Sequence, residues 1–106
     1  MNNNINNIFD LLFTDHYKVL KILYENQIKI NDKEKFSPLT QIEIAQMIGI
    51  SKITANSIFK ELYNHDLIYQ YNGKKGKYCL TSKAQVILKN ISKINKNIYT
   101  EHRKEN

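Results

Sequence analysis

The segment "LTQIEIAQMIGISKITANSIFKEL", residues 39–62, does most to restrict the fold. Thr40-Gln41-Ile42-Glu43 has the form of a capping box, in which the Thr hydroxyl and the Glu carboxylate satisfy each other's backbone amides, so a helix starts there. Ile44, Ala45 and Ile48 carry that helix to Gly49, a residue suited to a left-handed terminus. Only Gly49 and Ile50 then precede Ser51, a good N-cap for a second helix. Two helices must therefore meet across a very tight turn. In the second, Ala55, Ile58, Phe59 and Leu62 form an apolar stripe. The opposite face carries Ile53, Ser57, Lys60 and Asn64, flanked by Lys52 and Asn56, and has no obvious partner within the chain.

The flanking segments follow the same logic. Ile5, Ile8, Phe9 and Leu12 lie at helical spacing, and Asp15 reads as the N-cap of a further helix bearing Tyr17, Leu20, Leu23 and Tyr24. From Asn26 to Leu39 the pattern breaks into a polar loop that holds the only proline, Pro38, with a short extended piece around Lys35 to Ser37. After Asp66, "LIYQY", "NGKKG" and "KYCLT" read as strand, turn and strand, an antiparallel hairpin with lysines at its tip. Ser82-Lys83-Ala84-Gln85 is read as another capping box. It opens a helix through Ala84, Ile87, Leu88, Ile91, Ile94 and Ile98, and the tail from Glu101 is expected to fray. These elements make one mostly helical α+β domain over residues 1–106, with a helical extension at about 1–14, a core at 15–98 and a polar tail at 99–106.

Charge divides unevenly along the chain. Residues 51–106 hold eleven Lys/Arg and four acids, whereas residues 1–50 hold five Lys and six acids. A basic half of this kind favours a polyanionic partner, most often nucleic acid. The apolar runs are too short to span a bilayer and no signal-peptide pattern opens the sequence, so a cytoplasmic location is expected. Cys79 is the single cysteine and is expected to be packed and inert. His16, His65 and His102 are widely spaced, with no HExxH motif, Cys/His cluster or activated nucleophile, so neither an enzyme nor a metal or other cofactor is expected.

A helix-turn-helix followed by a hairpin and a closing helix is the element order of the winged helix, and the resemblance covers roughly residues 15–98. More narrowly, "AQMIGISKITA", "LIYQYNGKKGKYCLTSKAQVIL" and the lysine-spaced helical tail resemble the TubR family of centromere-binding adaptors from tubulin-like partition systems. That resemblance implies a homodimer that coats repeated DNA sites, can repress its own operon, and recruits a TubZ-like tubulin-like GTPase. The wing here carries only lysines where that family's wing is richer in arginine, so point-charge contacts replace bidentate ones. A stand-alone repressor of the MarR or similar kind is the alternative, and a winged helix that binds only protein is a third.

The bare helix face has the chemistry of a major-groove reader. Asn56 can pair with adenine, Ser57 can donate or accept, Ile53 can meet a thymine methyl, and Lys60 can reach guanine or phosphate. Ser51, Lys52 and Thr54 lie at the helix start, where amides also point at phosphates. Gly73, Lys74, Lys75, Gly76 and Lys77 form the expected wing, a source of salt-dependent backbone contacts. The wing's GxxG spacing is shared with KH domains, but there it joins two helices, and the glycine frame of a P-loop is missing. Dimerisation is expected through Ile5, Ile8, Phe9 and Leu12 or through the Ile91, Ile94 and Ile98 seam.

Overall fold

The structure is a computed structural model that describes residues 14–74 and 76–104, with side chains described as far as Lys93. Helix α1 spans Asp15–Glu25. Its cap is Thr14 rather than Asp15: the Thr14 hydroxyl accepts the Tyr17 N–H at 3.3 Å, and Asp15 instead pairs with Lys18 one turn on, at 3.6 Å. A hydroxyl one residue earlier wins because the carboxylate is equally useful inside the first turn, facing the helix dipole. Val19, Leu20 and Leu23 are fully buried, with Tyr17 and Tyr24 packed beside them.

The polar segment after α1 is ordered into a small hairpin. Strands β1 (Ile28–Lys29) and β2 (Lys35–Phe36) pair antiparallel, Ile28 opposite Phe36 and Lys29 opposite Lys35. The Asn31 side-chain oxygen accepts the Lys33 and Glu34 amides at 2.8 and 2.9 Å, which closes the turn without glycine. Just beyond β2, Ser37 exchanges two backbone hydrogen bonds with Tyr78, at 2.8 and 3.1 Å. Its fully buried hydroxyl donates to the Leu23 carbonyl, tying this crossing to α1.

Helix α2 (Gln41–Ile48) opens on the expected capping box, with both reciprocal bonds formed at 2.8 and 3.1 Å. Gly49 takes φ +74°, and the Ile50 amide returns to the Ala45 carbonyl at 3.0 Å. Ser51 caps α3 (Lys52–Asn64), and Ala55, Ile58, Phe59 and Leu62 are buried as its spacing requires. A fully buried Phe or Leu of this kind contributes about 1.5–3 kcal/mol. Phe59 also packs against Tyr78 with ring centroids 4.9 Å apart, which locks α3 onto the sheet. The helix ends at His65, Asp66 takes φ +59°, and the Lys83 ammonium donates to the His65 carbonyl at 3.0 Å. A cation there complements the negative helix end.

Strands β3 (Ile68–Gln70) and β4 (Tyr78–Leu80) form the wing, in the register Ile68–Leu80, Tyr69–Cys79 and Gln70–Tyr78. All three β4 residues are buried rather than alternating. Tyr78 and Leu80 face the helical core, while Cys79 on the reverse face lies against Tyr69, its cross-strand partner. Burial pushes the Cys79 thiol up, so it stays protonated and unreactive. At the tip, Gly73 and Gly76 have φ +67° and +80°.

Helix α4 runs over Ser82–Lys104, past the point where the polar tail was expected to fray. Thr81 is its cap, not Ser82: the Thr81 hydroxyl accepts the Ala84 amide at 3.1 Å and donates to the Asp66 carbonyl at 2.8 Å. One hydroxyl thus joins the end of α3 to the start of α4. Ala84, Leu88 and Ile91 are buried on the inner face of α4. Ile91, expected at a dimer seam, is only 3 % exposed in the single chain, because the helix turns that residue onto its own domain. The expected helix with Ile5, Ile8, Phe9 and Leu12, and the side chains of Ile94 and Ile98, lie outside the described residues.

Two stability outcomes follow from this packing. The Tyr63 hydroxyl is buried with no hydrogen-bond partner among the described residues, and burial, reinforced by nearby Tyr78, pushes its phenol up to about 12. The native state then holds a proton that the unfolded chain releases near pH 10, so this contribution is complete below pH 10 and lost as pH rises towards 12. Tyr63→Phe should raise stability by about 1 kcal/mol and shallow the alkaline decline, both read from urea unfolding at several pH values. A β-carbon on Gly73 meets open space, whereas one on Gly76 meets the Thr40 methyl at 3.2 Å. Both positions have positive φ, so each alanine variant should cost about 1 kcal/mol, with Gly76→Ala melting lower than Gly73→Ala.

Candidate nucleic-acid interface

Helical geometry divides the solvent side of α3 into a centre and two borders. Ile53 stands at the centre with 83 % of its surface exposed, and Ser57, Lys60 and Asn64 are exposed along the same line. An apolar side chain left this bare at the first turn of a packed helix contributes nothing to folding; its area is available to something else. Ser57 and Lys60 place a hydroxyl and a cation on successive turns beside it.

One border faces the wing. Lys52 and Asn56 line a cleft of about 450 Å³ with Thr40, Gln41, Gln70 and Gly76, so the start of α2, the start of α3 and the wing share one concave surface. A β-carbon at Gly76 would stand 3.2 Å from the Thr40 methyl, so the wing tip passes close to the N-terminus of α2. The capping itself shapes the local donors. The Ser51 oxygen accepts the Thr54 N–H at 3.1 Å and its proton goes to the Thr54 oxygen at 2.9 Å. Thr54 therefore keeps its own O–H as a donor to an outside acceptor. With no acid in the first turn of α3, the positive helix end, Lys52 and the Thr54 hydroxyl are together suited to a phosphate.

The other border faces α1 and holds a residue that sequence reasoning did not select. Glu61 lies one turn beyond Ser57, and its carboxylate meets the His16 ring nitrogen at 2.6 Å. Around this contact, Asp15, His16, Ile53, Thr54, Ser57 and Glu61 line a hollow of about 690 Å³. The only acid in α3 is thereby drawn towards α1, off the line of Ile53 and Lys60. Its partner lies 45 residues away in sequence, so no local signal could have revealed the contact.

The wing lysines are not equivalent. Lys74 is exposed, while Lys75 lies outside the described residues. Lys77, expected to project from the tip, is half-buried with its ammonium 5.5 Å from the centre of the Phe36 ring. Phe36 in turn stacks on Tyr71, centroids 5.4 Å apart and planes 12° from parallel. The base of the wing is thus an aromatic pair capped by a cation. The Tyr71 amide donates to the Lys77 carbonyl at 2.7 Å and closes the loop above it. Outward charge from the described part of the tip comes from Lys74.

Among the described residues, no three His, Cys, Asp or Glu side chains gather to hold a metal ion, and no helix is long and apolar enough to cross a membrane. No protein-family model and no curated protein matches the chain. Two solved structures from Staphylococcus aureus do match. One is a mutant of MepR bound to an oligodeoxyribonucleotide, with TM-score 0.67, 20 % identity, and coverage of 88 % of this chain and 64 % of that one. The other is MarR in complex with salicylate and kanamycin, with TM-score 0.67, 17 % identity, and coverage of 96 % and 67 %. This chain thus spans about two thirds of the length of each. At these identities the likeness establishes architecture: helices and a two-stranded hairpin arranged as the winged helix of MepR and MarR.

Proposed function

We propose that this chain binds duplex DNA sequence-specifically, with α3 in the major groove and the wing on the neighbouring backbone, and serves as a transcriptional regulator. The observation that carries this reading is the exposed line of Ile53, Ser57 and Lys60, bordered by Lys52 and Asn56, on a helix otherwise fixed in the core. Base reading needs a few short polar groups and one apolar contact on a rigid helix. Asn56 would pair with adenine, Ile53 would meet a thymine methyl, and Lys52, Thr54, Lys60 and Lys74 would hold phosphates. That a MepR mutant of similar fold is bound to an oligodeoxyribonucleotide supports DNA binding as the reading.

A homodimer follows as part of the proposal, since one short helix reads only a few base pairs and two-fold pairing doubles both contacts and charge. Its interface would use the helical pattern before Thr14 and the far end of α4 beyond Ile91. The partition adaptor shares the DNA-binding half of this mechanism, with a tubulin-like GTPase as an added partner. The fold likeness to MepR and MarR favours the regulator over that adaptor.

Nuclease footprinting across the DNA that flanks the gene for this chain separates these uses. One short protected palindrome is expected for a regulator; cooperative protection of many repeats would indicate the adaptor, and no protection at low salt would sink both and leave a protein-binding winged helix. On a cognate duplex, Lys60→Ala and Lys74→Ala should each weaken binding and flatten the log–log salt slope by about one. Asn56→Ala should cost about 1–3 kcal/mol on that site and little on unrelated DNA. Unchanged salt slopes and unchanged discrimination in these variants would place the interface elsewhere.

A further inference from the structure

Outside the α3 face, the structure gathers cations from the β1–β2 hairpin and α4. We propose that the cleft between the end of α1, the β1–β2 hairpin and α4 is a second anion site that takes a phosphate group. Tyr24, Gln27, Lys29, Lys35, Gln85 and Lys89 line this cleft of about 450 Å³. None of them belongs to α3 or to the wing.

Two observations converge on an anion. Lys29 and Lys35 are direct cross-strand partners, so the hairpin holds two ammonium-bearing side chains on one face. Like charges placed directly opposite destabilise a strand pair, and an anion between them reverses the sign of that interaction. Lys89 approaches the same cleft from α4, one helical turn beyond Gln85, which supplies an amide. The acids nearby leave this charge largely uncompensated. Asp32 reaches Lys29 only at 3.9 Å from a fully exposed position, and the Glu34 carboxylate accepts from the Asn31 side chain at 2.9 Å, within the hairpin turn. Lys35 and Lys89 have no ion-pair partner among the described residues. Lysine binds phosphate as a point charge, which suits a cleft where three flexible side chains converge without the planar fork that arginine would bring. The phosphate can belong to the backbone of a duplex held at α3 or to a free phosphorylated compound.

The test titrates the full chain with inorganic pyrophosphate, mapping backbone amide shifts, and then repeats it with Lys35→Gln combined with Lys89→Gln. Both substituted side chains are exposed and Lys35→Gln relieves a like-charge pair, so the variant should melt no lower than the parent. Shifts concentrated at Lys29, Lys35, Gln85 and Lys89, with binding at least tenfold weaker in the double variant and unchanged in Lys60→Ala, are the expected result. The DNA salt slope of the same variant identifies the source: a fall of about two assigns the phosphate to the DNA backbone, and no change assigns it to a free compound. Absent or scattered pyrophosphate shifts together with an unchanged DNA slope would overturn the site. Pyrophosphate binding here without any DNA binding would instead refute the function proposed above and leave this cleft standing.

Discussion

The turn from Gly49 to Ser51 sets the geometry on which the remaining structure depends. A left-handed residue ends α2, the Ile50 amide closes back on Ala45, and the Ser51 hydroxyl starts α3 two residues later. With so few residues between them, the helices have little freedom in their relative direction, and the phase of α3 about its own axis follows. Ala55, Ile58, Phe59 and Leu62 turn inward, and Ile53, Ser57 and Lys60 are left facing out. Phe59 carries the constraint into the sheet through Tyr78, and Ser37 carries it from Tyr78 to α1. Interface and core are therefore two sides of one helix.

Charge at the interface is distributed by contacts between distant elements. Glu61, on the α1 side of α3, is held there by His16, which keeps the carboxylate at the edge of the basic face. Lys77 is drawn over Phe36, which exchanges an outward charge for a firmer wing base. Among the described residues, the effect is to narrow the outward charge of this face to Lys52, Lys60 and Lys74 around an apolar centre, a pattern that favours base discrimination over indiscriminate attraction to polyanions.

Much of this was legible in the sequence because it is local. The Thr40 capping box, the glycine terminus, the Ser51 cap and the α3 stripe each depend on residues close together in sequence, the longest being the stripe from Ala55 to Leu62, and all are present as expected. Shifts of one residue occurred where two hydroxyl or carboxylate residues compete: Thr14 displaced Asp15, and Thr81 displaced Ser82 because its hydroxyl also reaches the Asp66 carbonyl. Of the β1–β2 hairpin only the extended piece around Lys35 to Ser37 was legible; β1 and the pairing were not, since the strands have two residues each and the turn is closed by the Asn31 side chain. The fates of Glu61 and Lys77, and the gathering of Lys29, Lys35 and Lys89, rest on contacts between segments far apart in sequence. Dividing the charge by halves of the chain separated the lysines that the fold brings together.

The central claim is that the outward face of α3, with the adjoining wing, is the surface that meets duplex DNA. Amide shift mapping on the labelled chain titrated with a duplex recovered from its own protected DNA tests this most directly. The account predicts shifts concentrated from Ser51 to Lys60, at Thr40 and Gln41, and at Gly73, Lys74 and Gly76. The amides of Val19, Leu20 and Leu23 should stay in place. Shifts confined to other surfaces, with the amides of Lys52, Ile53 and Asn56 unmoved at saturation, would contradict it.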